Sequence, residues 1–91
     1  MNREQILQAA QEAVTRDRNT EYGEPEDCFD IIAAFWEVYL GFGGITATDV
    51  ANMMVLLKMA RIMNGKPKPD SFIDIAGYAA CGGEIATKEA E

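Results

Sequence analysis

From Asp49 to Ala80 the chain reads DVANMMVLLKMARIMNGKPKPDSFIDIAGYAA. Its first half is a helix-length stretch in which Lys58 and Arg61 sit among Met, Leu, Val and Ile. A helix that is apolar nearly all round belongs at the centre of an assembly. Charges placed there are costly unless paired, so Lys58 and Arg61 need partners. Asp70 and Asp74 open the next amphipathic stretch and can supply them. Two arrangements satisfy the pattern. The charges hold two helices together, or they line a polar cleft that receives a charged ligand.

The punctuation around this stretch sets a four-helix chain. A first helix is expected over about 3–16, where Ile6, Ala9, Ala10, Ala13 and Val14 recur at three- and four-residue spacing. Pro25 suits the first turn of a second helix, and Glu24, Glu26 and Asp27 favour its positive end. That helix runs to about Leu40 with Phe29, Ile32, Ala33, Trp36 and Leu40 on its apolar face, and the glycines of GFGG end it. Thr46 and Asp49 have the spacing of a capping box for the third helix, which runs to about Asn64. The KPKP turn cannot continue a helix, and Asp70 or Ser71 starts the fourth, which reaches about Lys88. No strand pattern survives, and a polar tail frays from about residue 86. The expectation is an all-α, four-helix bundle of one domain over residues 1–91. A helical domain of this length often completes its burial as a homo-dimer or homo-tetramer.

Helical spacing then arranges the charges. On the third helix Val50, Met54, Leu57 and Arg61 form one stripe with Lys58 at its edge. Leu56, Met59 and Met63 cover the other side, and Met53, Met54, Met59 and Met63 read as core filling. On the fourth helix Asp70, Asp74, Gly77 and Cys81 share a stripe flanked by Tyr78 and Ile85. Facing the third helix, that stripe would bring Arg61 and Lys58 toward Asp74, with Arg61–Asp74 expected to hold the hairpin and Lys58, at the edge, left with the Arg18–Tyr22 loop to touch a ligand. The acids also have structural readings. Asp49 fits a cap, Asp70 fits a cap, and Asp74 stands three residues after Ser71 as in a capping box. Trp36 reads as core, with stacking on a base as the alternative.

Composition closes off several classes. A net charge of −7 with eight basic residues argues against DNA or RNA binding, which needs a basic surface. It leaves room for a small anionic ligand in a local cationic pocket. The longest apolar run, 31–36, is too short to span a membrane. Nothing at the N-terminus reads as a signal peptide, and Cys28 and Cys81, without CxxC spacing, read as reduced, buried thiols of a cytoplasmic protein. Zinc is disfavoured without histidine, whereas fifteen acids leave a carboxylate site for magnesium open.

The linker Arg18-Asn-Thr-Glu-Tyr22-Gly23-Glu-Pro25 has the composition of an ordered turn, and Arg18 can reach a phosphate or a carboxylate. The linker, the Trp36 helix, Lys58-Met-Ala-Arg61 and Asp74-Ile-Ala-Gly77-Tyr78 together resemble a family of small phage and prophage proteins over about 18–80. That family in turn resembles the MazG-like all-α nucleoside triphosphate pyrophosphohydrolases. The second resemblance implies a nucleotide in a cleft between helices, an oligomer, and magnesium held by ExxE and ExxD motifs on successive helices. This chain has no ExxE. Its nearest matches are Asp27-Cys-Phe-Asp30 and Asp49-Val-Ala-Asn52, with Asp70 and Asp74 as a further pair.

Three functions follow as expectations. In the first, the protein binds a nucleotide or other phosphate-bearing ligand without catalysis, which would let it sequester a nucleotide signal in the cytoplasm of a bacterial host. Arg18, Lys58, Arg61 and Asp74 would meet its polar end and Tyr22, Tyr78 or Trp36 would stack on its ring. In the second, a magnesium-dependent pyrophosphohydrolase uses Asp27, Asp30, Asp49, Asp70 and Asp74 as ligands, with Lys58 or Arg61 steadying phosphate charge. In the third, the chain is a helical interaction protein that inhibits a host factor, and its charges are architectural. The missing ExxE favours the non-catalytic readings.

Overall fold

The first helix starts from a reciprocal cap. The Asn2 side chain accepts from the Gln5 N–H at 2.8 Å, and the Gln5 side chain accepts from the Asn2 N–H at 2.9 Å. In the computed structural model, which describes residues 1–17 and 23–88, α1 spans Arg3–Glu12 and widens into a π-helical turn over Ala13–Asp17. The Thr15 hydroxyl donates to the Gln11 carbonyl at 2.6 Å within this stretch, a bond that competes with the regular ladder. The remaining elements are α2 (Pro25–Leu40), α3 (Ala47–Asn64) and α4 (Pro69–Lys88). Among the described residues there is no strand. The all-α, four-helix reading of the sequence holds.

The expected boundary signals act as written for α2 and α3. Pro25 opens α2 beside Glu26 and Asp27. Gly41 closes it at φ 82°, a left-handed conformation that L side chains rarely adopt, with its N–H donating to the Glu37 carbonyl at 2.8 Å. Thr46 and Asp49 form the predicted capping box, with Asp49 N–H to Thr46 Oγ1 at 3.1 Å and Thr46 N–H to Asp49 Oδ2 at 3.0 Å. For α4 the start differs. Pro69 is already helical, because proline is tolerated in a first turn, and the Ser71 N–H reaches back to the Lys68 carbonyl at 3.2 Å. Neither Asp70 nor Ser71 is therefore the residue ahead of the helix.

α3 and α4 form the principal hairpin, with α2 against α3 and α1 against α4. One cluster holds them: Phe29 and Ala33 from α2, Ala47, Val50 and Ala51 from α3, Tyr78 and Cys81 from α4. Trp36 packs half-buried against it, as does Met54. The close approach of α3 to α4 is at Gly82, where an added Cβ would lie 2.9 Å from the Ala51 Cβ. Gly77, expected to face α3, instead meets Val14 from the end of the first helix, at 3.1 Å for an added Cβ.

The expectation of a central α3 needs correction. Its first turns are enclosed, and Val50 is fully buried. Met53, Leu56, Leu57, Met59 and Met63 are exposed, Met63 to 85%, so within one chain they do not fill a core. The reason is geometric: α4 and α2 cover two adjoining sectors of α3, and nothing among the described residues covers the third. The Cα radius of gyration, 13.8 Å, is above the roughly 12 Å of a compact domain of this length, as expected for such an open bundle.

Candidate functional site

The turn into α2 and the facing surfaces of α3 and α4 enclose a pocket of about 200 Å³ lined by Gly23, Pro25, Cys28, Phe29, Ile32, Met54 and Tyr78. Gly23, at φ 77°, lets the chain turn sharply into Pro25. The walls are apolar and aromatic, and the Phe29 and Tyr78 rings pack tilted at 6.1 Å between centroids. Its volume is below the roughly 300–1,000 Å³ of pockets for whole drug-sized ligands, so it suits a single ring rather than an entire nucleotide.

One helical turn away lies the ion pair of the site. Lys58 follows Met54 by four residues on α3, and Asp74 precedes Tyr78 by four on α4. Lys58 Nζ stands 2.9 Å from Asp74 Oδ2, with side-chain exposures of 18% and 43%. The helix hairpin is therefore joined by Lys58–Asp74, where the stripe reading favoured Arg61–Asp74. Arg61, one further turn along the same face, is exposed and makes no ion pair among the described residues. The capping role for Asp74 is also replaced, since its carboxylate serves Lys58 from inside α4. From Met54 to Arg61 the face rises about 10 Å along the helix axis.

The carboxylates do not converge. Asp49 is engaged in its capping box. Asp27 and Asp30 are exposed on α2, and Asp70 is exposed in the first turn of α4. Among the described residues no three His, Cys, Asp or Glu side chains gather as a metal would require. Arg18 and Tyr22 lie outside the described residues. Neither cysteine is in a disulfide; Cys81 is buried as expected, and Cys28 is half-buried in the pocket wall.

Residues 5–86 match the family described as domain of unknown function DUF6378. This chain belongs to the DUF6378 family. Two curated relatives are both called Gene 55 protein. That of Mycobacterium phage D29 is 44% identical over 78 residues, covering 86% of this chain and 51% of the relative. That of Mycobacterium phage L5 is 40% identical over 74 residues, covering 81% of this chain and 47% of the relative. The chain thus spans about half the length of the curated relatives it matches. No solved structure matches it. The phage-family resemblance is upheld, and Lys58, Arg61, Asp74 and Tyr78 all fall within the DUF6378 match. No helix among the described residues is long and apolar enough to cross a membrane.

Sequence reading of this DUF6378 chain missed several structural residues. Glu37 Oε2 accepts from the Ile45 N–H at 3.0 Å and ties the GFGG loop to α2. Lys88 Nζ bridges to Glu26 Oε2 at 3.0 Å, joining the end of α4 to the start of α2. The Glu26 hydrogen bond and charge raise the Lys88 pKa above its usual 10.5. Neither pair is close in sequence. The pocket residues Phe29, Met54 and Cys28 were legible only as apolar positions.

Proposed function

We propose that this DUF6378 chain is a non-catalytic binder of a small phosphate-bearing ligand of nucleotide type, working in the cytoplasm of a phage-infected host cell. The observation that carries the reading is the line formed by the ring-sized pocket at Phe29, Met54 and Tyr78, the Lys58–Asp74 pair one turn on, and the exposed Arg61 beyond it. A planar ring fits the apolar end, and an anionic tail running along α3 meets Lys58 and Arg61. With a net charge of −7, an anion needs such a local cationic track to bind at all. Asp74 tempers that track by holding Lys58, so it acts as a competitor for the anion.

Titration of nucleoside mono-, di- and triphosphates and cyclic dinucleotides by calorimetry tests this. At least one binds the folded protein, Lys58→Ala and Arg61→Ala weaken it, and Asp74→Asn tightens it roughly fivefold, the ~1 kcal/mol of a partly exposed ion pair. No binder in the panel, or weaker binding by Asp74→Asn, contradicts the proposal. The MazG-like resemblance belongs here too. It rests on the likeness of the phage family to those enzymes, with the all-α four-helix order as support, and would add magnesium-dependent release of pyrophosphate. The dispersed Asp27, Asp30, Asp49 and Asp70 weigh against that reaction, and pyrophosphate release from any triphosphate would restore it.

A further inference from the structure

α2 is apolar on two opposite faces. Its inner face, Phe29 and Ala33 with Trp36, enters the core. Its outer face carries Ile31, Phe35, Val38 and Tyr39, continued by Phe42, all exposed, Val38 to 81% and Tyr39 to 90%. The spacing of the first four, i, i+4, i+7 and i+8, is that of one helix face, and Phe42 follows just past the Gly41 cap. The one side chain charged at neutral pH between residues 31 and 42 is Glu37, and it is turned to the Ile45 N–H.

We infer that this outer face of α2 is an interface with a second copy of the chain, paired antiparallel about a two-fold axis. This goes beyond the ligand reading and does not depend on it. Area is the first argument. Bare aromatic side chains present about 150–250 Å² each, so the five residues offer on the order of 700 Å² of surface. That exceeds the ~300–600 Å² of the largest apolar patch on a typical monomer and approaches the ~800 Å² per partner of a stable complex. Composition is the second argument, since Phe, Tyr and aliphatic side chains without charge make the centre of a homodimer interface. A patch with no charge has nothing to select a charged partner, whereas a two-fold axis lets it meet itself. Charge fixes the direction. The first turn of α2 carries Glu26 and Asp27, and antiparallel pairing keeps the two acidic ends apart while opposing the helix dipoles. A lipid surface is a poor occupant, because α2 has no Lys or Arg and its acidic start is repelled by anionic headgroups.

Light scattering on the full 91-residue chain, from about 1 to 100 µM, tests the pairing. The expected mass rises across that range toward twice the 10.0 kDa of one chain. Val38→Glu halves it with the helical circular dichroism retained, whereas Met59→Glu on the exposed side of α3 leaves it. A wild-type chain that stays at the single-chain mass, or a Val38→Glu chain that stays paired, overturns the inference. Hydrogen exchange of the wild type gives a second reading free of any folding defect in the variants. Slower exchange across residues 31–42 at the high end of that range supports the pairing, and no change there overturns it.

Discussion

The hairpin of α3 and α4 and the outer face of α2 divide the hydrophobic residues by size. The hairpin and its immediate neighbours bury mostly small ones: Ala47, Val50, Ala51, Cys81 and Gly82, with Phe29 and Tyr78 as the large exceptions. The outer face of α2 shows Ile31, Phe35, Val38, Tyr39 and Phe42 to solvent, and α3 adds Met53, Leu56 and Met63. Small side chains let helices approach closely but remove little apolar surface from water. Large ones left outside have that contribution still to make. The difference teaches that the core within one chain sets the arrangement of the helices, while much of the hydrophobic stabilisation available to the sequence lies outside that core.

The same residue type on one helix gives the sharpest break of this comparison. Phe29 is 4% exposed and Phe35 is 70% exposed. Phe29→Ala is expected to lower unfolding free energy by about 3–5 kcal/mol in urea titrations. Phe35→Ala, measured at low concentration, is expected to change it by less than about 0.5 kcal/mol. Equal losses would erase the distinction between inside and outside. Adjacent glycines sharpen it next. An added Cβ at Gly82 meets Ala51, whereas one at Gly83 meets nothing within 4 Å. Gly82→Ala is expected to destabilise by about 1–3 kcal/mol, and Gly83→Ala to stabilise by up to about 1 kcal/mol through helix propensity. The smallest effect is at the rim. The Lys88 pKa is raised above 10.5 by Glu26, so the stabilisation from that bridge is complete below pH 10.5 and lost as pH rises through the raised value. Glu26→Gln should therefore lower stability slightly across the neutral range, and its difference from the wild type should vanish as pH rises through the raised value.

What the sequence made legible is tied to local rules. The ends of α2 and the start of α3 depend on Pro25, Gly41 and the Thr46–Asp49 box, whose bonds lie within a few residues of each other. The partner of Asp74 was not legible in this way. Helical spacing gives the angle between Lys58 and Arg61 on α3, but it does not give the rotation of α4 about its own axis, and that rotation puts Lys58 rather than Arg61 at 2.9 Å. The same missing rotation exchanged Gly77 for Gly82 at the close approach. Met53, Met59 and Met63 show a third limit. Hydrophobicity marks a residue as wanting cover, and cover from the same chain and cover from a partner leave the same pattern. In the candidate site, Lys58, Asp74 and Tyr78 were found by chemistry, while Phe29, Met54 and Cys28 looked like any other apolar position.

The central claim is that folding and pairing are linked, because so much large apolar surface lies outside the core of a single chain. The midpoint of thermal unfolding as a function of protein concentration tests it most directly. A linked dimer shows a midpoint that rises by a few degrees for each tenfold increase in concentration. A midpoint that stays constant over about 1 to 100 µM, where micromolar pairing would act, would contradict the account.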